Sequence, residues 1–353
     1  MAPIAPRQPL KHRAWQYTTT KPPLEANLVL NHTATVPTPK SNQHLIQIIA
    51  AALNPVDYKP AERSLISSLF VKKPATPCND ISGRVIKPAV NSSLKAGQLV
   101  CGTSGNDNPL AGGALAEFAW AELGSVTALP AQGVDVIDAA GVGIAGLTAY
   151  QSLVPYVKRG DKVFINGGSG GCGVMSIQIA KVLGCYVTTS CSTTNIELCK
   201  SLGADEVIDY TKQNLIQSLV ASGGFDHVMD NVAGDTSLYF RCHEYTNPTA
   251  IYVKAGLTVS MQHLLATMKM TLLPGFLGGG KRKLLNFLTK TNPDHLAQVV
   301  SWMEEGKVRM VVDEIFAFED APKAFSKLRT GRVRGKVIVD VASATYEQVK
   351  MDI

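Results

Sequence analysis

A chain of 353 residues is longer than one hydrophobic core usually serves, so two domains with a cleft between them are expected. Hydrophobic residues make up 45% and charged residues 18%, which excludes a disordered chain. The net charge of +6 is spread thinly, and its densest cluster, Lys281-Arg282-Lys283, has no interleaved aromatics, so nucleic-acid binding has no footing.

Seven cysteines (78, 101, 172, 185, 191, 199 and 242) form no CxxC pair and are odd in number, which speaks for a reducing compartment rather than a disulfide framework. The opening MAPIAPRQPLKHR lacks the apolar core of a signal peptide. No later run approaches the ~20 uninterrupted apolar residues of a membrane span. A soluble, cytoplasmic protein without stable membrane insertion is expected; Arg7, Lys11 and Arg13, with no acid nearby, leave an organelle-targeting reading open.

In chain order, Trp15 to about Leu129 reads as β-rich, with HLIQIIAAAL, SGRVIKPAV and GALAEFAWAE separated by Gly, Pro and Asn turns, which suggests a compact barrel. The segment 134–157 then spaces its apolar residues at helical intervals. After it, strand and helix signals alternate: KVFIN, a glycine-rich loop, VMSIQIAKVLG, CYVTTSC, NIELCKSLG, EVIDY, NLIQSLVAS, FDHVMDN and AIYVKAG. Such alternation predicts a parallel sheet covered by helices. Residues 257–290 are rich in Leu, Met and Phe and read as helix, loop, helix. The last stretch returns to helix and strand signals and is expected to pair back onto the first domain. The predicted divisions are 1–138, 139–290 and 291–353.

The loop Gly168-Ser169-Gly170-Gly171-Cys172-Gly173 fits GxGxxG and lies between a short strand pattern and a helix that begins near Val174. Glycines remove the Cβ atoms that would hold a pyrophosphate away, while free N–H groups and the helix dipole face its charge. The competing reading is a turn that serves only tight packing. Cys172 falls where a thiolate would be favoured, but it reads better as a small filler.

An NAD site would place an acid about 20 residues further on, against the ribose 2′-hydroxyl. YVTTSCSTTN (186–195) has none. Its Ser190, Ser192, Thr193 and Thr194 offer hydroxyls to a 2′-phosphate, which favours NADPH; ordinary loop hydroxyls are the bland alternative. No metal site is expected: Cys78 and Cys101 have no nearby His, and the ligands of Cys242-His243-Glu244 would point in different directions. No HExxH, GxSxG or Cys/His nucleophile signature occurs.

AALNPVDYK (51–59), AGVGIAGLTAY (140–150), GDKVFINGGSGGCGVMSIQIAK (160–181), KSLGADEVIDY (200–210) and GRVRGKVIVDV (331–341), in this order, resemble the medium-chain dehydrogenase/reductase superfamily in its zinc-independent quinone oxidoreductase and enoyl reductase branch. The nearest flavour is that of fungal and plant chloroplast-type members. The resemblance implies an α/β protein in which a GroES-like barrel, formed from both chain ends, carries an inserted Rossmann domain. It implies hydride transfer from NADPH to an activated C=C bond.

It further implies that Asn54, Tyr58 and Lys59 lie near the nicotinamide or its ribose and that Thr148 meets the nicotinamide end. Gly168 to Val174 would cradle the pyrophosphate, with Ser169, Gly170 and Gly171 in contact. Ser190, Ser192, Thr193 and Tyr210 would surround the adenosine phosphate. Asn231 and Val232 would end the next strand, and Arg334, Gly335 and Lys336 would return to the cofactor. Many relatives carry a basic residue where Thr194 stands, which weakens the expected grip on a 2′-phosphate.

Tyr58 is the candidate acid for the enolate, with packing at the domain seam as the alternative, and Lys59 the candidate cofactor anchor. A flexible apolar wall from Met261 to Leu288 would suit a hydrophobic enone, including a polyketide-derived one of fungal secondary metabolism; core helices or a dimer seam are equally compatible. A quinone or carbonyl reductase is the alternative within the class. A non-catalytic nucleotide-binding protein that uses LLPGFLGGGKRKLL as a contact is the alternative outside it. A monomer or homodimer fits either.

Overall fold

The computed structural model describes residues 10–63, 71–105, 112–255, 266, 268–271, 273 and 279–342. The β-branched and apolar runs before residue 129 form strands: β1 (Lys11–Gln16) pairs antiparallel with β2 (Val29–Thr35). A larger sheet takes β3 (Gln43–Leu53), β4 (Asp80–Lys87), β5 (Leu99–Thr103), β6 (Phe118–Glu122) and β7 (Val126–Ala128), all antiparallel to their neighbours. The second half of β3 is buried on both faces, and its alanines make room for this. Ala50 and Ala52 pack against Ala140 and Ile338, while Ala51 and Leu53 face the barrel core.

The inserted half is a six-stranded parallel sheet: β8 (Lys162–Asn166), β9 (Tyr186–Cys191), β10 (Glu206–Asp209), β11 (Phe225–Asp230), β12 (Thr246–Lys254) and β13 (Lys283–Asn286). Their order in the sheet is β10-β9-β8-β11-β12-β13, so the chain winds outward from β8 and then restarts on its other side at β11. In such doubly wound sheets ligands sit at this switch point, beyond the carboxyl ends of the strands. Val163, Phe164 and Ile165 of β8 are fully buried, as a central parallel strand requires.

Helix Pro293–Glu304 places Leu296, Val299 and Met303 in the core that serves the parallel sheet. The chain then rejoins the barrel sheet through β14 (Val312–Ala317) and β15 (Lys336–Asp340), with β15 antiparallel to β3. The two halves touch where β15 begins: Gly335 N donates to Ser169 O at 2.8 Å, and Gly170 and Gly335 form a parallel bridge. Within the Met261–Leu288 stretch, residues 261–265, 267, 272 and 274–278 lie outside the described residues. Of the basic tripeptide, Arg282 donates to Thr246 O and Oγ1, which makes it a structural clamp. Among the described residues no helix is long and apolar enough to cross a membrane.

Candidate active site

The glycine loop runs from the end of β8 into helix Gly171–Val182, and its glycines divide by role. A Cβ on Gly168 would lie 2.1 Å from Thr189 Oγ1, and one on Gly173 would lie 2.1 Å from Gly167 O. These two glycines let the helix seat on the strand. A Cβ on Gly170 would meet only Gly167 O, at 3.7 Å, so bare backbone faces open space there. Gly171 abuts Lys336, whose Cδ would be 3.0 Å from an added Cβ. Val174 is fully buried. Burial pushes the Cys172 thiol up from its ordinary value, against the favourable helix start, so it stays protonated beside Thr148. The first helical turn leaves N–H groups for an anion.

A chain of hydrogen bonds crosses the rim of the sheet. Ser190 Oγ accepts from Gly167 N at 3.1 Å and donates to Asn166 Oδ1 at 2.7 Å; Ser190 is fully buried, so its hydroxyl secures the loop. Asn166 Nδ2 donates to Asp230 Oδ1 at 2.8 Å, which also accepts the N–H groups of Val232 and Ala233. Tyr252 donates to Asp230 Oδ2. Asn195 Nδ2 donates to both Ser169 Oγ at 3.1 Å and Ser192 Oγ at 3.2 Å, linking the loop to the end of β9.

Among the described residues, the buried Oδ1 of Asn195 and both amide atoms of Asn231 have no partner. Buried polar atoms are rarely left so, and a polar ligand at the rim would satisfy them. Together with the open Gly170, they fit a dinucleotide. Val232, half exposed, stands beside Gly167.

The strand end is less free of acid than its sequence suggests. Parallel pairing of β10 with β9 sets Asp209 opposite Cys191. Thr193 donates its hydroxyl to Asp209 Oδ2, and Thr211 donates its N–H and hydroxyl to Oδ1. These bonds hold the carboxyl below its usual range, so an ionised acid with both oxygens already engaged sits beside the predicted hydroxyls. Ser192 is half-buried, Thr193 and Thr194 are exposed, and Tyr210 is exposed nearby.

On the barrel side, Asn54 and Asp57 form a capping box for the turn Pro55–Asp57: Asn54 N donates to Asp57 Oδ2 at 2.7 Å. Asn79 Nδ2 donates to Asp57 Oδ1 at 2.8 Å. Burial and the neighbouring Asp80 push the Asp57 carboxyl up to about 7. Burial likewise raises Asp80, whose Oδ2 accepts from Asn54 Nδ2 at 2.8 Å and from Lys336 Nζ at 3.2 Å. Lys336 is 2% exposed, and its Nζ also donates to Leu53 O and Asn54 Oδ1.

Lys336 therefore points into the barrel beneath the loop, while its neighbour Arg334 is exposed and Gly335 spans the seam. Thr148 is buried on helix Gly143–Leu153, its hydroxyl against that of Thr289. Lys59 is half-buried at the start of helix Lys59–Arg63. Tyr58 is 7% exposed and packs in the barrel core, with the Arg329 guanidinium 4.4 Å over its ring.

Sequence reasoning passed over Asn166, Asn195, Asp230, Asp57 and Asp80. KVFIN and VMDN each end a strand on a polar residue, which was the available signal.

Residues 40–131 match the family model for an alcohol dehydrogenase GroES-like domain, and residues 202–339 match that for a zinc-binding dehydrogenase. A trans-enoyl reductase, pgmF, of Aspergillus terreus is 45% identical over 96% of this chain and 98% of its own. A chloroplast envelope quinone oxidoreductase homolog of Arabidopsis thaliana is 32% identical over 86% of this chain and 92% of its own. The solved quinone oxidoreductase of Coxiella burnetii superposes with a TM-score of 0.81 at 28% identity, covering 94% of this chain and all of that one.

The chain belongs to the medium-chain dehydrogenase/reductase superfamily. Its relatives place it in the zinc-independent enoyl and quinone reductase branch, as an oxidoreductase served by a nicotinamide cofactor. The second family model's description names a zinc-binding dehydrogenase. Among the described residues no three His, Cys, Asp or Glu side chains are grouped to hold a metal.

Where Cys78, Asp57 and Asp80 converge, the carboxylates are engaged by amide donors and an ammonium. The Cys78 thiol donates to Ala52 O, and burial raises it well above its ordinary value. In the Cys242-His243-Glu244 trio, Cys242 is buried, His243 Nε2 faces Lys281 and Glu244 pairs with Arg241.

Proposed function

We propose that this reductase uses NADPH to reduce the activated C=C bond of a hydrophobic enone or enoyl substrate. The observation that carries the reading is near-full-length similarity to a trans-enoyl reductase; the open Gly170 cradle and the seam around Asn54 supply a matching site. When bound, a nicotinamide cofactor would supply the hydride that reduces the activated C=C bond.

The chain's own groups orient that transfer. The first turn of helix Gly171–Val182 and Ser169 would hold the pyrophosphate, Asn231 would meet ribose or phosphate oxygens, the free Oδ1 of Asn195 would accept from a hydroxyl, and Asn54, Lys59 and Thr148 would border the nicotinamide end. Ser192 and Thr194 offer hydroxyl donors to a 2′-phosphate, and Thr193 and Thr211 already engage both oxygens of the Asp209 carboxylate, which would otherwise compete for a ribose hydroxyl. This supports NADPH over NADH.

Tyr58, packed in the barrel core, keeps a structural role, and solvent protonates the enolate. The test is NADPH oxidation with a panel of enones, with product analysis: a saturated ketone is expected. An alcohol or quinol would favour the quinone or carbonyl reductase reading that the Arabidopsis and Coxiella relatives motivate. Tyr58→Phe is expected to keep its turnover; a drop of about 10²-fold, typical of a lost general acid, would restore the phenol as proton donor.

A further inference from the structure

Resting on the reductase reading, we propose that Lys336 is a positioning residue: its buried ammonium fixes the Asn54 carboxamide and, through Asp80, the start of the helix that carries Thr148. The expectation that Lys336 grips the cofactor directly meets a simple obstacle. An ammonium has three N–H donors, and all three are taken, by Leu53 O at 3.0 Å, Asn54 Oδ1 at 2.6 Å and Asp80 Oδ2 at 3.2 Å. The methylenes run beneath the glycine loop against Gly171. The charge ends on the barrel side of the seam.

What the ammonium holds is specific. The Asn54 amide is constrained at both ends, with Oδ1 on Lys336 and Nδ2 on Asp80 and Ala52 O, so it has one orientation. The other Asp80 oxygen accepts from Ile144 N at 2.8 Å, at the positive end of helix Gly143–Leu153. That helix start is seated without slack: a Cβ on Gly143 would lie 2.4 Å from Asp80 Oδ1 and 2.6 Å from Gly102 O. Thr148 lies four residues beyond Ile144, on the same face of the helix.

The end of β3, the start of β4, the start of β15 and this helix therefore meet at one ion pair, whose side chains are 3% and 0% exposed. Buried ion pairs are seldom better stabilisers than apolar packing. Geometry is what this one provides.

The experiment compares wild type, Lys336→Met and Lys336→Met/Asp80→Asn; the double variant removes the unpaired buried carboxylate that could unfold the single one. Three quantities are read: thermal midpoint, NADPH affinity by fluorescence quenching, and the single-turnover rate at saturating NADPH. Hydrogen exchange of the cofactor-free single variant follows the helix start.

Exchange around Ile144 should quicken in Lys336→Met. The single-turnover rate should fall about 10²-fold, the scale on which a small misplacement costs catalysis, with NADPH affinity nearly unchanged. The double variant should regain the thermal midpoint but stay slow. A double variant with the wild-type rate would reduce Lys336 to a counter-charge and overturn the proposal. So would a single variant that loses NADPH affinity yet turns over normally at saturation, which would make Lys336 a cofactor ligand. Wild type without turnover on any enone would sink the reductase reading instead, leaving the exchange measurement to judge Lys336.

Discussion

A side chain added at Gly170 enters open space in an extended backbone (φ −81°, ψ 172°), whereas one at Gly173 runs into Gly167 O at 2.1 Å. Gly170→Val is therefore expected to fold with an unchanged thermal midpoint and to lose NADPH binding in a fluorescence titration. Gly173→Ala should unfold earlier, by the 1–3 kcal/mol or more typical of overpacking, roughly 2–4 °C per kcal/mol at this domain size. Equal loss of binding without loss of stability in both would undo the division of roles.

The glycine pattern was legible in the sequence because spacing encodes it. What each glycine does was not, because that depends on the distance to Thr189 and to the loop's own carbonyl. Ser190 shows the same limit: a hydroxyl at a strand end reads alike whether it faces a ligand or, as here, Gly167 N and Asn166. Asp209 and Asp80 stayed hidden because pairing between distant segments brings them to the site.

At the scale of elements, the short helix Lys59–Arg63 has little intrinsic stability and depends on what clamps it. Arg329, from helix Ala321–Arg329, pairs with Glu62 of that helix and with Glu25 of the turn Leu24–Asn27, and covers Tyr58. The side chains of Glu62 and Glu25 are 5% and 10% exposed, so removing the guanidinium leaves two buried carboxylates unpaired.

Arg329→Met should cost about 3–5 kcal/mol in chemical denaturation. Lys should rescue poorly, since it cannot present a planar fork to two carboxylates. A midpoint within error of wild type would show the clamp to be idle. The alternating strands and helices that frame this region followed from sequence periodicity. The return of the last stretch to the first domain was legible in its strand signals and in the family resemblance, but its pairing of β15 with β3 was not, since a contact between residues near 50 and 340 leaves no local trace in the chain. Helix Pro293–Glu304 reads amphipathic, but only the structure shows that its apolar face joins the core of the parallel sheet.

For the whole molecule, two buried groups in different halves set opposing pH dependences. Asp57 is pushed up to about 7 in the fold from an ordinary value of 3.8, by burial and by Asp80. Between those values the folded chain holds a proton that the unfolded chain has lost, so Asp57 makes stability fall as pH rises. His227, 1% exposed on β11 and stacked against Tyr156, is lowered by burial to about 4 from 6.5. Across that window the unfolded chain holds the proton, so His227 makes stability rise with pH.

At 1.36 kcal/mol per pKa unit each effect is of order 3 kcal/mol, and they nearly cancel between pH 4 and 6.5. Wild type should therefore show a shallow dependence of its denaturation free energy there. Asp57→Asn removes one arm, and its stability should drop steeply as pH falls from 6.5 to 4. His227→Phe removes the other, and its stability should drop as pH rises from 4 to 7. Parallel curves for all three proteins in urea titrations across this range would show that neither group changes its protonation on unfolding.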